Sequence, residues 1–181
     1  MRRQFLPWLA GFIDAVGSIF VGIREQRSNK VGNPYIVITP VVNVTQHIKY
    51  KWVCEQIRDT LNLGKVYIAN RKGANAKVTW QTTKMEEVIK VLDLILPYMV
   101  VKKPQALAVT KELRKWIGMS SIVNARGNMR TSGLTIRKQK NVLSMVKMAT
   151  ELNSDMRSST RYRGYHTYDY WEPLIKQWYH R

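Results

Sequence analysis

Side chains suited to reading the edges of nucleic-acid bases recur at alternate positions of two predicted strand pairs. Arg24 and Arg71 could each donate two hydrogen bonds to a guanine edge. Gln26 and Asn43 carry amides, which pair in the same bidentate way with adenine. Successive residues of a strand point to opposite sides of a sheet, so these side chains act together only if strands present them on one face. The sequence must therefore supply those strands and a layer that covers their other side.

Hydrophobic periodicity predicts such an arrangement in the first part of the chain. The predicted elements follow the order α-β-β-α-β-β-α, and two hairpins alternating with helices are typical of an α+β fold. We expect a four-stranded antiparallel sheet covered by helices on one face. Gly17 is expected to end the first helix in a left-handed conformation, and Pro40 suits a strand edge or a bulge. The predicted helices and strands are helix 7–16, strands 18–27 and 35–45, helix 47–62, a hairpin over 65–81 and helix 85–96.

The uncovered face of this sheet is predicted to be polar and basic. Such a face is typical of a nucleic-acid-binding sheet, but a solvated surface explains these residues equally well when they are taken alone. The residues predicted on it are Arg24, Gln26, Thr39, Asn43, Tyr67, Arg71, Lys77 and Thr79.

The net charge of the chain favours a polyanionic partner. It is +18 over 181 residues, and a charge this large usually serves polyanion binding. Residues 1–100 carry 14 Lys and Arg against 7 Asp and Glu, and residues 101–181 carry 16 against 5. A ribosomal protein or a protein of the membrane surface would share this charge.

Cysteine and histidine usage excludes several classes of protein. Cys54 is the one cysteine, so no disulfide forms within the chain. His47, His166 and His180 are isolated and give no zinc-binding spacing. The sequence contains no run of about 18 uncharged apolar residues, so no membrane span is predicted. An intracellular protein is expected, from a prokaryotic cytoplasm or an organelle, without membrane association.

The chain is predicted to form a single domain over residues 1–181. Its core covers about residues 5–117, and a basic extension of helices and loops covers about 118–181. Further helices are expected at 105–117 and 135–151. The final aromatic stretch could stack on bases, but Pro173, Leu174 and Trp178 favour a helix docked on the core.

One nine-residue segment narrows the function. Residues 9–17 read LAGFIDAVG, and the small residues Gly11 and Ala15 lie four apart on one face of the predicted helix. The segment resembles the signature of the LAGLIDADG homing endonucleases and their intron maturase relatives, with seven of nine positions matching. The helix–strand context and the element order over about residues 5–100 also match. The resemblance implies a homodimer whose signature helices pack side by side. The interface residues that it implies are Trp8, Ala10, Gly11, Asp14 and Ala15.

The resemblance also implies a catalytic site at the end of that helix. The last acid of the signature would hold Mg²⁺, with Mn²⁺ or Ca²⁺ as substitutes, but Val16 stands at its position. The valine side chain has no oxygen and cannot hold a metal ion, and the main-chain carbonyl of Ala15 remains to approach one. Gln46 matches a residue that orients water beside the scissile phosphate, and Lys102 matches a lysine that reaches into the site. We therefore expect a chain that binds its DNA but cleaves it very slowly or not at all.

The resemblance implies that the two hairpins lie in the major groove of double-stranded DNA. A strand of about ten residues at about 3.3 Å each matches about ten base pairs per subunit. An RNA-binding intron maturase of the same fold, with intron RNA as its partner, is the alternative; a ribosomal or architectural protein is a third. The implied DNA-binding residues are Phe20, Gly22, Arg24, Gln26, Tyr35, Thr39, Val41, Asn43, Lys49, Tyr67, Arg71, Lys77 and Thr79, with Asn153, Arg157, Arg161 and Arg163 contacting phosphates.

Overall fold

The computed structural model describes residues 4–27, 34–69, 76–117, 129–130, 136–152 and 167–179. The predicted order α-β-β-α-β-β-α is confirmed by its first seven helices and strands. Short 3-10 turns, Ile48–Tyr50 and Leu96–Tyr98, precede α2 and follow α3. The elements are α1 (Phe5–Val16), β1 (Gly17–Arg27), β2 (Pro34–His47), α2 (Lys51–Leu61), β3 (Lys65–Ala69), β4 (Lys77–Thr82), α3 (Met85–Ile95), α4 (Lys103–Arg114), β5 (Met129–Arg130), α5 (Ile136–Leu152) and α6 (Tyr168–Tyr179).

The four main strands form one antiparallel sheet in the order β1-β2-β4-β3. The central strand β2 pairs with β1 along its length, with β4 at one end, and with β5 at Val37 and Ile38. Pro40 lies in this central strand and not at an edge. It pairs with Val21 of β1 on one side, and on the other side it falls between the segments that pair with β5 and β4, where the described residues put no strand.

Helices cover one face of the sheet and enclose the core there. Ile19 and Val21 of β1, and Val42 and Val44 of β2, alternate toward this side and are buried. Trp80 of β4 is fully buried among them and donates its indole N–H to the carbonyl of Leu63 at 3.0 Å. The expectation that helices cover one face is therefore confirmed. The helical residues that complete the core include Leu9, Ile13, Cys54, Ile57, Val88, Leu92, Ile95, Val109 and Leu113.

The junction from α1 to β1 requires glycine, but not for the predicted reason. Gly17 has φ −82° and ψ 172°, an extended conformation that any residue adopts. The constraint is steric, because a Cβ there would lie 2.8 Å from the Cα of Ile13 and 3.0 Å from the carbonyl oxygen of Asn43. Helix and strand are thus joined without an intervening residue, so the end of α1 is fixed against the sheet.

The turn from α2 to β3 fixes the outer hairpin. Gly64 has φ +76°, and a Cβ there would lie 2.7 Å from the indole nitrogen of Trp80. The Glu87 carboxylate accepts hydrogen bonds from the Gly64 amide at 3.1 Å and the Thr82 hydroxyl at 2.8 Å. The edge strand β3 is thereby tied to the first turn of α3.

The C-terminal helices pack on the core, as predicted. Glu112 of α4 is buried and accepts a hydrogen bond from the Ser144 hydroxyl of α5 at 2.9 Å. Trp171 and Ile175 of α6 are buried, whereas Pro173, predicted to dock, is exposed. In the parts of the chain described above, no helix combines the length and the apolar character that crossing a membrane requires.

Candidate nucleic-acid interface

The face of the sheet opposite the helices carries side chains from all four main strands. Arg24 and Tyr67 are exposed on it, and so is Lys77. Strand alternation places Phe20, Gly22, Thr39, Asn43 and Thr79 on the same face, all half-buried. The structure therefore brings these predicted residues together on one surface, which we call the open face.

The register adds polar residues that the sequence analysis did not select. Ser18 pairs with Asn43, Asn43 pairs with Gln81, and Gln81 pairs with Lys65. These four residues form one row across the open face, perpendicular to the strands. The sequence showed which side of its strand each of these residues faces, but it did not show how the two hairpins align with each other.

A second row lies two residues further along β2. The hydroxyls of Thr45 and Thr79 are 2.9 Å apart, and Tyr67 pairs with Thr79 on the other side. Thr45 was also missed by the sequence analysis. The two rows give the open face hydroxyl, amide, phenol and ammonium groups at a spacing set by the backbone.

Val41 lies on this face by alternation but is nearly inaccessible. It pairs with Phe20, and 5% of its surface is exposed. Direct contact between Val41 and a ligand would require neighbouring side chains to move, because those side chains cover it. Lys49 is exposed in the 3-10 turn after β2, where its ammonium lies 4.8 Å from the centre of the Tyr50 ring.

Several predicted contact residues lie outside what the structure describes. For Gln26 and Tyr35 the structure describes only the backbone, in which the two residues pair with each other between β1 and β2. The remaining five are outside the described residues altogether: Arg71, Asn153, Arg157, Arg161 and Arg163.

The end of α1 is the place where the sequence predicts a catalytic site. Val16 is its last residue and is 47% exposed. Gly17 follows directly and pairs with Val44 of β2. Gln46 lies two residues beyond Val44, is half-buried, and belongs to the same end of the sheet as Val16. The structure thus places Gln46 and the end of α1 at one end of the sheet.

Asp14 connects this end of α1 to the start of α4. Its carboxylate accepts hydrogen bonds from the amides of Val100 at 2.7 Å, Val101 at 3.2 Å and Lys102 at 2.9 Å. Partial burial raises the pKa of Asp14, but the three amide donors and the charge of Lys102 outweigh it and hold the pKa below its ordinary value. The sequence resemblance places Asp14 at a dimer interface, and in the structure its carboxylate is engaged within its own chain.

The Lys102 side chain also connects the start of α4 to the end of α1. Its ammonium donates to the carbonyl oxygen of Ile13 at 3.0 Å and to that of Asp14. The side-chain amide of Gln105 donates a hydrogen bond to the carbonyl oxygen of Ile19 at 2.6 Å, which joins α4 to the start of β1. We call the mutual hydrogen bonding of Asp14 and Lys102 the clasp. The clasp places Lys102 at the end of α1, where the sequence resemblance put it.

The residues at this end do not fit a divalent metal ion. Mg²⁺ in proteins is usually held through one or two carboxylates. The side chain of Val16 has no oxygen, and the Asp14 carboxylate already accepts three amide hydrogen bonds. Nowhere in the part of the chain that the structure describes do three or more His, Cys, Asp or Glu residues cluster as metal ligands.

One face of α1 is exposed and built for close approach. Trp8, Gly11 and Ala15 lie on it at helical spacing, and all three are exposed. Trp8 stacks on Phe12 with ring centroids 5.2 Å apart, and a Cβ at Gly11 would meet nothing within 4 Å. Ala10 was also expected at an interface. That expectation is corrected, because Ala10 is fully buried in the core of its own chain.

Comparison with known proteins agrees with this geometry. The DNA endonuclease I-CreI of Chlamydomonas reinhardtii is 23% identical over 165 residues, which cover 82% of this chain and 96% of that protein. The archaeal intron-encoded homing endonuclease I-Vdi141I, solved in complex with DNA, superposes with a TM-score of 0.68 at 23% identity, covering 96% of this chain and 95% of that one.

The fold recurs in a further endonuclease. I-CvuI, solved with the I-CreI target in Mg²⁺ with the DNA uncleaved, gives a TM-score of 0.61 at 18% identity, over 82% of this chain and 79% of that one. It has also been solved with its own target in Ca²⁺. A family model described as LAGLIDADG endonuclease matches residues 9–104, the span that runs from the exposed helix α1 to the clasp. This chain therefore belongs to the LAGLIDADG endonuclease family.

Proposed function

We propose that this chain binds one extended site on double-stranded DNA as a homodimer and cleaves it slowly or not at all. The observation that carries the proposal is the open face, where polar and basic side chains from four strands lie in register beside the end of α1. The family membership and relatives solved with DNA support it.

The open face suits the major groove in size and chemistry. β1 has 11 residues, so at about 3.3 Å per residue it follows about ten base pairs that rise 3.4 Å each. A two-stranded ribbon fits the width of the major groove. The amides of Asn43 and Gln81 are adjacent in the register and suit adenine, and Arg24 suits guanine.

The exposed face of α1 supports the homodimer. A second copy of α1 could approach closely at Gly11 and Ala15, since small residues let two helix backbones come together. A twofold pairing uses the same surface on both chains and predicts a roughly palindromic site of about 20 base pairs, about ten for each subunit.

Impaired cleavage follows from Val16. The ends of two paired α1 helices would meet at the middle of the duplex, and position 16 would there present two methyl groups instead of a carboxylate. A divalent ion is consequently not part of the proposed binding site as the residues stand. Gln46 lies at that end of the sheet, and the Lys102 ammonium lies at the end of α1.

Selection of bound duplexes from a random pool, at fixed moderate salt, tests the proposal. Salt must be fixed because a chain with net charge +18 binds any duplex when salt is low. Enrichment of one roughly palindromic site of about 20 base pairs is expected, in a complex of two chains per duplex. If no sequence is enriched, the proposal fails, and structured intron RNA becomes the next ligand to test.

A matched pair of variants locates the binding surface. Asn43→Ala together with Gln81→Ala removes two amides from the open face and should weaken binding of the selected site by about tenfold or more, at about 1–3 kcal/mol for each good base contact. Gln56→Ala removes an exposed amide from α2, on the covered side of the sheet, and should leave affinity unchanged. Equal effects of the two changes would place the binding surface elsewhere.

A further inference from the structure

We propose that the Lys102 ammonium takes the place of a divalent cation at the carbonyl end of α1, so that this chain binds duplex DNA equally well with and without divalent metal. The inference rests on the proposed function for its ligand, duplex DNA. It identifies the Lys102 ammonium as the positive charge that faces the duplex at the end of α1.

The clasp fixes the Lys102 side chain at both of its ends. The main-chain amide of Lys102 donates to Oδ1 of Asp14 at 2.9 Å. The ammonium, at the other end of the side chain, donates to the carbonyl oxygens of Ile13 and Asp14. A lysine held in this way loses little conformational freedom when a ligand arrives, because it is already ordered.

The end of α1 is a natural place for a cation. The Gly17 amide donates to the carbonyl of Ile13, so the carbonyl groups from Asp14 onward have no partner within the helix. Such carbonyls give a helix C-terminus a partial negative charge. A lysine ammonium has three N–H donors. Two of them point at Ile13 and Asp14, which leaves the third N–H for a phosphate oxygen of a bound duplex.

The same geometry opposes a divalent ion. The Lys102 ammonium donates to the carbonyl oxygens of Ile13 and Asp14, so a metal ion on the next carbonyl, that of Ala15, would bind beside a positive charge. Val16 offers no negative charge to offset that repulsion. The clasp and Val16 therefore both oppose a divalent ion, and the Lys102 ammonium is the cation fixed at the end of α1.

Binding with and without metal tests the inference on the unaltered chain. Affinity for the selected duplex is measured in EDTA and in MgCl₂, with NaCl adjusted to constant ionic strength. We expect the two dissociation constants to agree within about twofold. A rise in affinity of about tenfold or more with Mg²⁺ would overturn the inference.

Two variants at position 16 show that the assay can detect a metal. Val16→Asp places a carboxylate beside the DNA phosphates, so its affinity should fall in EDTA and recover in Mg²⁺. Val16→Asn has a similar size without the charge and should behave as the unaltered chain does. If the affinities of Val16→Asp and Val16→Asn respond equally to Mg²⁺, the end of α1 is not the site of the effect and the inference is wrong.

A second arm measures the charge of Lys102 directly. Lys102→Met removes one phosphate contact from each of the two chains, so the slope of log affinity against log salt should become shallower by about 1.8. Lys103→Met removes the next lysine, which is exposed and outside the clasp, and should keep the original slope. Equal slopes for the two variants would refute the assignment. If Lys102→Met does not fold, the metal arm decides, since it needs no variant.

The failure of the inference can be told apart from the failure of the proposed function. Absence of any enriched duplex counts against sequence-specific DNA binding. Both arms can still be run on the duplex that binds most tightly, and metal-dependent binding there counts against the role of Lys102.

Discussion

Replacing Asp14 should destabilise the protein more than replacing an exposed acid that is hydrogen-bonded to an arginine. In Asp14→Ala, the amides of Val100, Val101 and Lys102 lose their shared acceptor. Loss of a comparable cap at a helix N-terminus costs about 0.5–2 kcal/mol, and hydrogen bonds to charged groups contribute about 1.5–3 kcal/mol each. Water can replace part of this, because the carboxylate is only half-buried. We expect a loss of about 2 kcal/mol, near the upper value for a cap.

Thermal unfolding measures this loss. At about 2–4 °C per kcal/mol for a chain of this length, Tm should fall by about 4–8 °C. Asp93→Ala is the matched control, since the Asp93 carboxylate accepts two hydrogen bonds of 2.8 Å from Arg114 on the surface. An exposed ion pair contributes about 0.2–1 kcal/mol, so the Tm of Asp93→Ala should fall by about 4 °C at most.

The pH dependence of the loss identifies the carboxylate charge as its source. The pKa of Asp14 is lowered in the folded chain, so its contribution is present above the ordinary carboxyl pKa and disappears as pH falls through the lowered value. The difference in Tm between the unaltered chain and Asp14→Ala should therefore shrink in acid. The reasoning is refuted if Asp14→Ala loses no more stability than Asp93→Ala, or if the difference persists unchanged through acid pH.

Three further predictions follow from single positions. Val16→Asp should restore metal-dependent cutting of the selected duplex, scored by strand cleavage in Mg²⁺ or Mn²⁺; binding without any cutting would show that position 16 is not the missing ligand. Gly11→Leu should leave the Tm of the isolated chain intact, because a Cβ there meets nothing within 4 Å, yet sedimentation should show monomers; a dimer that survives would move the interface off α1. Gly17→Ala should cost about 1–3 kcal/mol by overpacking, since its Cβ would lie 2.8 Å from a backbone carbon. Gly22→Ala, with its nearest atom at 3.7 Å, should cost nothing, and equal losses in urea unfolding would contradict the steric account.

The elements could be predicted from sequence because their periodicities are local. Alternation in β1 and β2 gave the open face, and the apolar stripe of α1 gave its buried side. The predicted start of α2 was several residues too early, because a 3-10 turn capped by His47 occupies Ile48–Tyr50. The strand β5 was missed because its two residues are too few to show a period.

The site was less predictable because it depends on contacts between distant residues. Lys102 was selected by family resemblance, but its bonds to Ile13 and Asp14 span 89 and 88 residues, and no local pattern encodes them. The row from Ser18 to Lys65 likewise depends on the register of β2 with β4. Ala10 was misplaced because a small residue in the signature can face its own core as readily as a second helix.

The sequence separation of the clasp has a consequence for how the chain folds. Contacts between distant residues form only after the intervening chain has closed a loop, whereas a helix or a hairpin forms from neighbours. During synthesis, the residues of α1 and of both hairpins are added to the chain before Lys102. A nascent chain can then assemble the strands of the open face while the end of α1 still lacks its ammonium. The open face can therefore assemble before the end of α1 is finished, because the clasp cannot form until Lys102 has been synthesised.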